Sequence, residues 1–439
     1  MTQSKKLVVI AGLALSATAF AQSNDAGRAY AAELVSDAGA RVSLLDSGYD
    51  KKGFMIGSAD GNNTMYVFGS AQVRYYANFR DDADGDAEPS RESFTGGFEN
   101  NLTRLGVKGS VWDKAFTYQV RGEFDNGGNF ELETAFAGYA MDNGFGITAG
   151  QMKHPLLRES MIDNEYQLGV NRSIVDNLFG AGYTQGVQLT YASDAIRFMG
   201  GFTDGAASAN TDFNSRDEAD YALNLRVDFK AMGASWEQFE DFTSWKSAEG
   251  TGVVIGGALH WQDGGSTGAR NPVAADGTVD DTIFSTDDEQ LIVYTLDAQF
   301  EGQGWNAFGA FVGSKLDTEG GDSSNFGGVI QAGFFVTDQV ELFGRWDGIF
   351  WDNDIPNAEG DGSADDSHFL TAGVNYYLSP ESHAAKFSFN GIYALKSTGE
   401  PTIEGDDGDV SLLPLGSSGL LGQQDDGEFG LVAQLQVMF

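Results

Sequence analysis

The end of the chain, residues 428–439, alternates between two kinds of side chain with a period of two. One face is apolar and includes the last residue: Phe429, Leu431, Ala433, Leu435, Val437 and Phe439. The other face carries small and polar residues together with Val432. This alternation indicates a β-strand with one apolar face. A strand of this kind that ends the chain on an aromatic residue favours a bacterial outer-membrane β-barrel, and an ordinary edge strand is the alternative.

The beginning of the chain has the features of a secretory signal peptide at 1–21. Two lysines at positions 5 and 6 precede a short apolar run at 7–17, and the triplet at 19–21 is an A-x-A cleavage site. We expect the mature chain to begin near Gln22. The apolar run is too short for a membrane-spanning helix, and no later run reaches the ~18 residues that one requires. We therefore expect export to the outer membrane, with Phe439 recognised by the assembly machinery.

Composition narrows the classes of function. The 439 residues include no cysteine, which excludes a disulfide scaffold and thiol chemistry. The chain has 59 glycines and 54 aromatic residues (32 Phe, 15 Tyr and 7 Trp) but only 7 prolines, which fits a large barrel in which alternate residues face lipid. The net charge of −38 makes nucleic acid a poor partner. Most acidic residues lie in runs between the alternating segments, and we interpret these runs as loops.

Residues 22–63 differ from the rest of the chain. Apolar residues recur there at helical spacing: Tyr30, Leu34, Ala38, Val42 and Leu45. The spacing predicts a short amphipathic helix over 26–48, followed by a linker rich in Gly and Asp at 51–63. A helix of this length does not fold alone. We therefore expect it to pack with copies of itself or against the barrel.

From 64 to 439 the dominant period is two, and sixteen alternating segments can be delimited. They lie near 65–80, 102–112, 115–125, 130–141, 144–153, 184–193, 195–204, 219–231, 251–263, 289–301, 304–316, 324–336, 338–351, 367–378, 383–396 and 428–438. A soluble β-sandwich could show the same alternation, but many of these segments are longer than its usual strands of about five or six residues. An even number of long strands predicts an all-β fold, a 16-stranded antiparallel transmembrane barrel.

The links between these segments fall into two groups. Short links at 112–114, 302–303, 337–338 and 379–382 predict periplasmic turns. Long acidic links at 81–100, 205–218, 263–288, 352–366 and 397–427 predict extracellular loops. Aromatic residues crowd several strand ends, which is typical of the girdles at the two membrane interfaces, although aromatics also favour strands in general.

Four stretches of the sequence resemble one family of porins. They are NLTRLGVKG at 101–109, GNFELE at 128–133, AGQMKHPLLRE at 149–159 and QGVQL at 185–189. They resemble the phosphate-selective porin O/P family in order along the chain, and residues 50–69 are similar to those members that carry a short N-terminal helical segment. The resemblance implies a sixteen-stranded barrel, usually a homotrimer, embedded in outer-membrane lipid, with a constriction loop folded into the lumen.

The constriction loop implied by the resemblance would be 154–183, between the fifth and sixth strands. A segment of this length is too long for a turn, and loops this long are usually functional or disordered. Its apolar residues argue against a solvated loop: Met161, Ile162, Leu168, Ile174, Val175 and Leu178. We expect the loop to pack inside the barrel or at a subunit interface.

Seven basic residues are candidates for lining the pore. They fall on the water-facing phase of the early strands or in or beside the loop: Arg74, Arg104, Lys108, Arg121, Lys153, Arg158 and Arg172. Arginine stays charged, and its planar guanidinium matches the oxygens of phosphate. We hypothesise a basic stripe that attracts small anions through the constriction. In the alternative, each basic residue pairs with a nearby carboxylate: Glu123, Asp125, Glu131, Glu133 or Glu159.

The later strands depart from the pattern of the phosphate channels in this family, which carry a dense ladder of basic residues. Here they offer only the scattered Arg226, Lys230, Arg345 and Lys386. The acidic loops also disfavour anions at the mouth of the pore. Both features weigh against specificity for phosphate. The first interpretation remains a passive channel for small hydrophilic solutes, with anions such as phosphate preferred on the basis of the basic stripe. A general or cation-preferring porin is its alternative.

Other chemistry has little support in the sequence. Carboxylates alternate over 82–88, but the glycine is misplaced for an EF-hand calcium loop, so a solvated acidic loop is expected. The four histidines are scattered, and no nucleophile–base or nucleotide-binding motif occurs. We expect no cofactor, no metal and no catalytic site. A barrel lipase or protease and a secreted glycan-binding β-protein are the less favoured alternatives.

Overall fold

The computed structural model describes residues 54–81, 93–125, 127–213, 215, 218–233, 235–248, 250–264, 290–318, 321–353, 355, 363–399, 402–403, 410–423 and 426–439. The predicted signal peptide, the predicted helix over 26–48 and the acidic segment 82–88 lie outside the described residues. Among the residues that are described, no helix is both long enough and apolar enough to cross a membrane.

Within the described ranges, sixteen long strands form one closed antiparallel barrel. The strands are β2 (Thr64–Phe79), β3 (Phe94–Val111), β4 (Asp113–Phe124), β5 (Phe130–Ala140), β6 (Phe145–Lys153), β7 (Tyr183–Ala192), β8 (Ile196–Thr203), β9 (Tyr221–Met232), β10 (Gly252–Asp263), β11 (Gln290–Gly302), β12 (Trp305–Thr318), β13 (Gly321–Phe335), β14 (Val340–Phe350), β15 (Ser367–Tyr377), β16 (Ala385–Ala394) and β19 (Phe429–Met438). Each pairs with its neighbour along the chain, and β19 pairs with β16 and β2. The predicted all-β fold with sixteen antiparallel strands is confirmed.

The barrel closes where the last strand meets the first. β19 pairs with β2 from Phe429 opposite Phe79 to Met438 opposite Ser70. Phe439 extends this seam, because its backbone N–H donates to Gly69 O at 3.0 Å and its own carbonyl accepts from Gly69 N at 2.9 Å. A side chain on Gly69 would place its Cβ 2.7 Å from the backbone oxygen of Arg104 and 2.7 Å from the Phe439 ring, so the close approach of β3 requires glycine here.

The two faces of the sheet are opposite to those of a soluble protein. On β2, Gln72, Arg74 and Asn78 point into the barrel and are at most 2 % exposed. The alternating residues Val73 and Phe79 are 44 % and 42 % exposed on the outside. Polar groups inside and apolar groups outside are stable only where the outer surface meets lipid. This arrangement excludes the soluble β-sandwich as the explanation for the alternation.

Two strands differ from their predicted extents. A short strand β1 (Phe54–Gly57) pairs with the first residues of β2, in a region predicted to be a linker. β3 begins at Phe94, eight residues before the predicted start at 102. A β-bulge opposite Ser70–Gln72, with Leu102 at a positive φ of 51°, resets the alternation and hides the first half of β3 from a period-of-two pattern.

The links lie at the two ends of the barrel in turn, because every strand reverses direction. The long acidic links share one end with the segment between β6 and β7; the last of them contains the two-stranded β17 (Thr402–Ile403) and β18 (Val410–Ser411) and the 3₁₀ turn Gly416–Ser418. The short predicted turns lie at the other end. One link at that end is long: residues 233–251, between β9 and β10, include the 3₁₀ turn Glu237–Phe239.

The inward-facing side chains differ between the two halves of the barrel wall. The inward faces of β11 to β16 carry buried apolar side chains: Leu291, Val293, Phe308, Val312, Leu316, Val329, Phe343, Ile349, Phe369 and Ile392. The inward faces of β2 to β10 are mainly polar, as on β2 and β9. Leucines 412, 413, 415 and 420 of the last long link pack into the apolar half.

The constricted lumen as candidate functional site

The segment 154–182, here called the constriction loop, extends from β6 to the opposite wall of the barrel. It contains the short helices α1 (Arg158–Met161) and α2 (Ile174–Phe179) and the 3₁₀ turn Asn164–Tyr166. Ser173 caps α2, since its Oγ accepts the backbone N–H of Asp176 at 2.9 Å. The apolar side chains of the constriction loop join the buried cluster formed by β11 to β16: Leu156, Leu157, Ile162, Leu168, Ile174, Val175, Leu178 and Phe179.

Backbone groups of the constriction loop also bond to this far wall. Val170 N donates to Asn390 Oδ1 at 3.1 Å, and Ile174 N donates to Asp347 Oδ2 at 2.9 Å. Asn375 Nδ2 donates to Leu168 O at 3.0 Å. These bonds to inward-facing residues of β14, β15 and β16 place the loop across the lumen.

The wall of β2 to β6, on the side from which the constriction loop starts, binds the loop through ion pairs. Arg104 on β3 contacts Glu123 at 3.0 Å and Glu133 at 2.7 Å, and it reaches Glu165 of the loop at 3.1 Å. Arg121 on β4 contacts Glu133 at 2.7 Å and Asp163 of the loop at 3.1 Å. Two strand arginines therefore share one strand carboxylate and each hold one loop carboxylate.

Lys153 and Asp163 complete this network. Lys153 Nζ lies 2.5 Å from Asp163 Oδ1. Burial alone would raise the pKa of Asp163, but Arg121 and Lys153 hold that pKa well below its usual range. Asp163 is therefore ionised at neutral pH and binds both cations.

Arg74 on β2 binds the constriction loop through neutral amide and carbonyl oxygens. Its guanidinium donates to Gln434 Oε1 at 2.7 Å, to Asn171 Oδ1 at 2.7 Å and to Val170 O at 3.2 Å. On β16, Lys386 Nζ donates to the backbone carbonyl of Glu165 at 3.3 Å. These donors satisfy loop oxygens that would otherwise be buried without partners.

A second set of charges surrounds the start of α1. Arg158 donates to Gln299 Oε1 at 2.7 Å and lies 3.7 Å from Asp228. Asp228 is shared with Arg226, which is fully buried and also contacts Asp297 at 2.9 Å. Buried charges of this kind are stable only when they are paired and hydrogen-bonded, as they are here.

Glu159 joins the two helices of the constriction loop. Its carboxylate accepts from Ser173 N at 2.8 Å and from Ser173 Oγ at 2.6 Å, and Arg345 lies 3.7 Å away. Burial and the neighbouring Asp176 raise the pKa of Glu159 to about 7. Arg172 donates to Ile162 O at 2.7 Å and so holds the segment between the helices.

A sequence model of the family described as phosphate-selective porin O and P matches residues 73–413. The chain belongs to this porin family. The match covers more than half of the chain and includes β3 to β16 and the constriction loop. The protein is an outer-membrane porin, and its fold points to a channel rather than an enzyme.

Solved porins share the fold of this porin at low sequence identity. The anion-selective porin from Comamonas acidovorans is 13% identical with a TM-score of 0.55, covering 86% of this chain and 100% of that one. OmpF of Salmonella typhi, in complex with daunomycin, is 12% identical with a TM-score of 0.54, covering 88% and 100%. OmpT of Vibrio cholerae, in its trimer form, is 12% identical with a TM-score of 0.53, covering 86% and 99%. No curated protein sequence matches the chain.

The seven basic residues named from the sequence of this porin lie on the inward wall or in and beside the constriction loop. Five of them have carboxylate partners within 4 Å: Arg104, Arg121, Lys153, Arg158 and Arg172. Lys108 lies 5.0 Å from the ring centre of Phe68. Of the carboxylates named as alternative partners, Glu123, Glu133 and Glu159 contact arginines, whereas Asp125 bonds to Asn129. The role of the seven basic residues in selecting anions stays a prediction.

Sequence reasoning did not name the carboxylates that come from the constriction loop itself, Asp163 and Glu165. It also treated Arg226 and Arg345 as scattered, although both are buried in the loop's contacts. The two carboxylates lie two residues apart in the loop, and this local pair is the available signal. In the described part of the chain, no group of three or more His, Asp or Glu side chains could hold a metal ion.

Proposed function

We propose that this porin is a passive diffusion channel for small hydrophilic solutes in which the basic residues beside the constriction loop mainly hold the loop in place. The observation that supports this is the pairing of Arg104 and Arg121 with Glu123, Glu133, Asp163 and Glu165. A guanidinium that already shares two carboxylates has little remaining affinity for a passing anion. The channel then discriminates chiefly by size.

Further carboxylates on the inward wall support the same proposal. Glu341 is fully buried and accepts from Asn306 at 3.2 Å and Tyr377 at 2.7 Å, which are neutral donors. Glu301 accepts from Gln299 at 2.6 Å. These acidic groups on the inward wall oppose the concentration of anions in the lumen to the extent that they are ionised.

Preference for small anions such as phosphate is the second candidate. It is favoured by the convergence of Arg74, Arg104, Arg121 and Lys153 on one side of the constriction loop, and by the name of the family. Weakening of the carboxylate contacts in the hydrated channel would leave these cations available to solutes. The acidic composition of the chain opposes this preference at the mouth of the pore.

We also propose that the porin is a homotrimer in outer-membrane lipid, since its family is usually trimeric and OmpT of Vibrio cholerae has a trimer form. Recognition of Phe439 by the assembly machinery is a further proposal, and the exposure of its ring, 52 %, is consistent with that role.

The proposal is tested by the swelling of liposomes that contain the purified protein. Glucose, gluconate and glucosamine have similar sizes and differ in charge, so their relative rates separate size from charge. Similar rates for the three solutes support a general diffusion channel. Entry of gluconate alone supports the anion-preferring candidate, and no entry of any solute contradicts a channel of either kind.

A further inference from the structure

We propose that residues 235–248, here called the return link, form a second constriction element that enters the lumen from the end opposite the constriction loop and sets the size limit of the channel together with it. The return link joins β9 to β10 at the end where the other connections are short. This inference rests on the proposed function, because a size limit has meaning only in a channel that conducts.

The burial of the return link is that of a lumenal segment. Phe239 and Phe242 are 2 % and 1 % exposed, and Asp241, Thr243 and Ser244 are buried with them. A turn on the rim of a barrel would leave such side chains in water. Their burial shows that the middle of the link lies inside the barrel wall.

The return link contacts the constriction loop directly. Phe242 N donates to Tyr166 O at 3.1 Å, and Arg158 Nη2 donates to Phe239 O at 2.9 Å. Backbone groups of the link therefore bond to both the 3₁₀ turn and helix α1 of the loop. The two segments, which enter from opposite ends, meet close to the end that carries the short turns, where Tyr166 also packs against His383 of the turn between β15 and β16.

The return link is also fixed to the far wall. Gln299 on β11 donates to Asp241 O at 2.6 Å, and the Phe242 ring lies 4.8 Å from that of Phe308 on β12. Thr243 Oγ1 lies 3.1 Å from the Tyr377 hydroxyl on β15. The ring of Trp245 packs against those of Phe335 and Tyr377. Contacts with four strands of one wall, β11, β12, β13 and β15, hold the link as a fixed element.

These contacts place the return link on the side of β10 to β15 and leave the opposite wall as the route for water and solutes. Inward residues on that opposite wall are partly exposed and polar: Thr117, Gln119, Thr148 and Gln188. Removing the buried rings of the link should release its packing against the far wall and its support of the constriction loop. The channel should therefore widen at its narrow section.

The first test replaces both buried rings, Phe239→Ala with Phe242→Ala, and measures single-channel conductance and the largest sugar that enters liposomes. We expect conductance to rise by roughly half or more and larger sugars to enter, since pore radius governs both. The matched control is Phe213→Ala, which removes the same ring from a residue that is 95 % exposed. A double variant that runs as a folded, heat-modifiable barrel and keeps the conductance and size limit of the wild type overturns the inference.

The second test uses the absence of cysteine from the chain. The variants Tyr166→Cys and Phe242→Cys are combined, because the backbones of these residues are hydrogen-bonded at 3.1 Å. A short bifunctional maleimide, which does not need the strict geometry of a disulfide, should cross-link them in the membrane-inserted protein. Cross-linking in a channel that still conducts supports the inference. Absence of the cross-link overturns it, and so does closure of the channel on cross-linking, because the conducting state would then require the two segments to be apart.

The two proposals fail in different ways. Wild-type protein that conducts nothing and admits no sugar contradicts the channel function itself. Wild-type protein that conducts normally, combined with an unchanged Phe239→Ala and Phe242→Ala variant, contradicts only the role of the return link.

Discussion

The two walls of the lumen hold the constriction loop by different forces. The wall of β2 to β6 uses charge, with Arg104 and Arg121 joined to loop carboxylates Asp163 and Glu165. The wall of β11 to β16 uses mainly apolar packing around Ile174 and its neighbours, together with hydrogen bonds to backbone groups and the contact of Arg345 with Glu159. The apolar contacts are tolerant of small shifts, whereas each ion pair requires its partner.

The difference explains how a polar barrel interior can contain a loop rich in Leu and Ile. Outer-membrane strands must present apolar residues to lipid, so their inward positions are free to be polar or apolar. On one half of this barrel many of them are apolar and bury the loop among a few polar groups, and on the other half the contacts to the loop are mainly ion pairs. The predictions below separate these two roles.

The largest effect is expected at Glu133, the carboxylate shared by the two strand arginines. Glu133→Ala leaves Arg104 and Arg121 without their common partner, and we expect a loss of about 3–5 kcal/mol of unfolding free energy. The measurement is denaturant unfolding in detergent micelles. Glu131→Ala, at an exposed site on the same strand, is the control. Equal stability of the two variants would mean that the ion-pair network does not hold the structure.

Truncation on the apolar side is the counterpart. Ile174 is fully buried between α2 and the far wall, and Ile174→Ala should reduce the unfolding free energy by about 2–5 kcal/mol through lost burial and the cavity that remains. Ile255→Ala, at a residue 45 % exposed on the outer face, should cost less. If the two walls act independently, the Glu133→Ala and Ile174→Ala losses add to within about 0.5 kcal/mol, and a larger deviation would show that they act as one unit.

A smaller effect is expected at the cap of α2. Ser173→Ala removes the acceptor for Asp176 N and one donor to Glu159, and loss of such a cap costs about 1 kcal/mol. Thermal unfolding of the variant against Ser247→Ala, at an exposed serine, measures this cost. A midpoint equal to that of the control would show that α2 is held by packing alone.

The last expected effect is a dependence of stability on pH. The pKa of Glu159 is raised from 4.5 to about 7 in the folded protein, so folding favours the protonated form. The stability contributed by protonation is present below pH 4.5 and is lost as the pH rises through about 7. Glu159→Gln should flatten the curve of melting temperature against pH in this range. A curve that keeps its slope would assign the dependence to other groups.

Much of the fold could be predicted from the sequence because the signal is local. Each membrane strand must alternate, so β2, the strands from β4 to β16, and β19 are visible in the sequence as a period of two. The first half of β3 was missed because the bulge near Leu102 shifts the phase of the pattern. Strand β1 was missed because four residues carry too little alternation to stand out from a linker.

Less of the site could be predicted, because its contacts join residues far apart in the chain. The inward phase of the strands identified Arg74, Arg104 and Arg121 correctly as lumenal. The contacts of Arg104 with Glu165 and of Arg121 with Asp163 depend on how the constriction loop folds across the barrel. No local period in the sequence indicates that path. The return link was missed for the same reason, since the burial of Phe242 follows from its contact with Tyr166 of the loop.

The most direct test of the central claim is the reversal potential of the purified protein in a planar bilayer under a KCl gradient, with and without added phosphate. If the arginines at the constriction are occupied by carboxylates, the potential should be small and phosphate should not reduce the chloride current. A strong chloride-directed potential that phosphate suppresses would show that Arg104 and Arg121 are available to anions, and would contradict the account in which they serve to hold the loop.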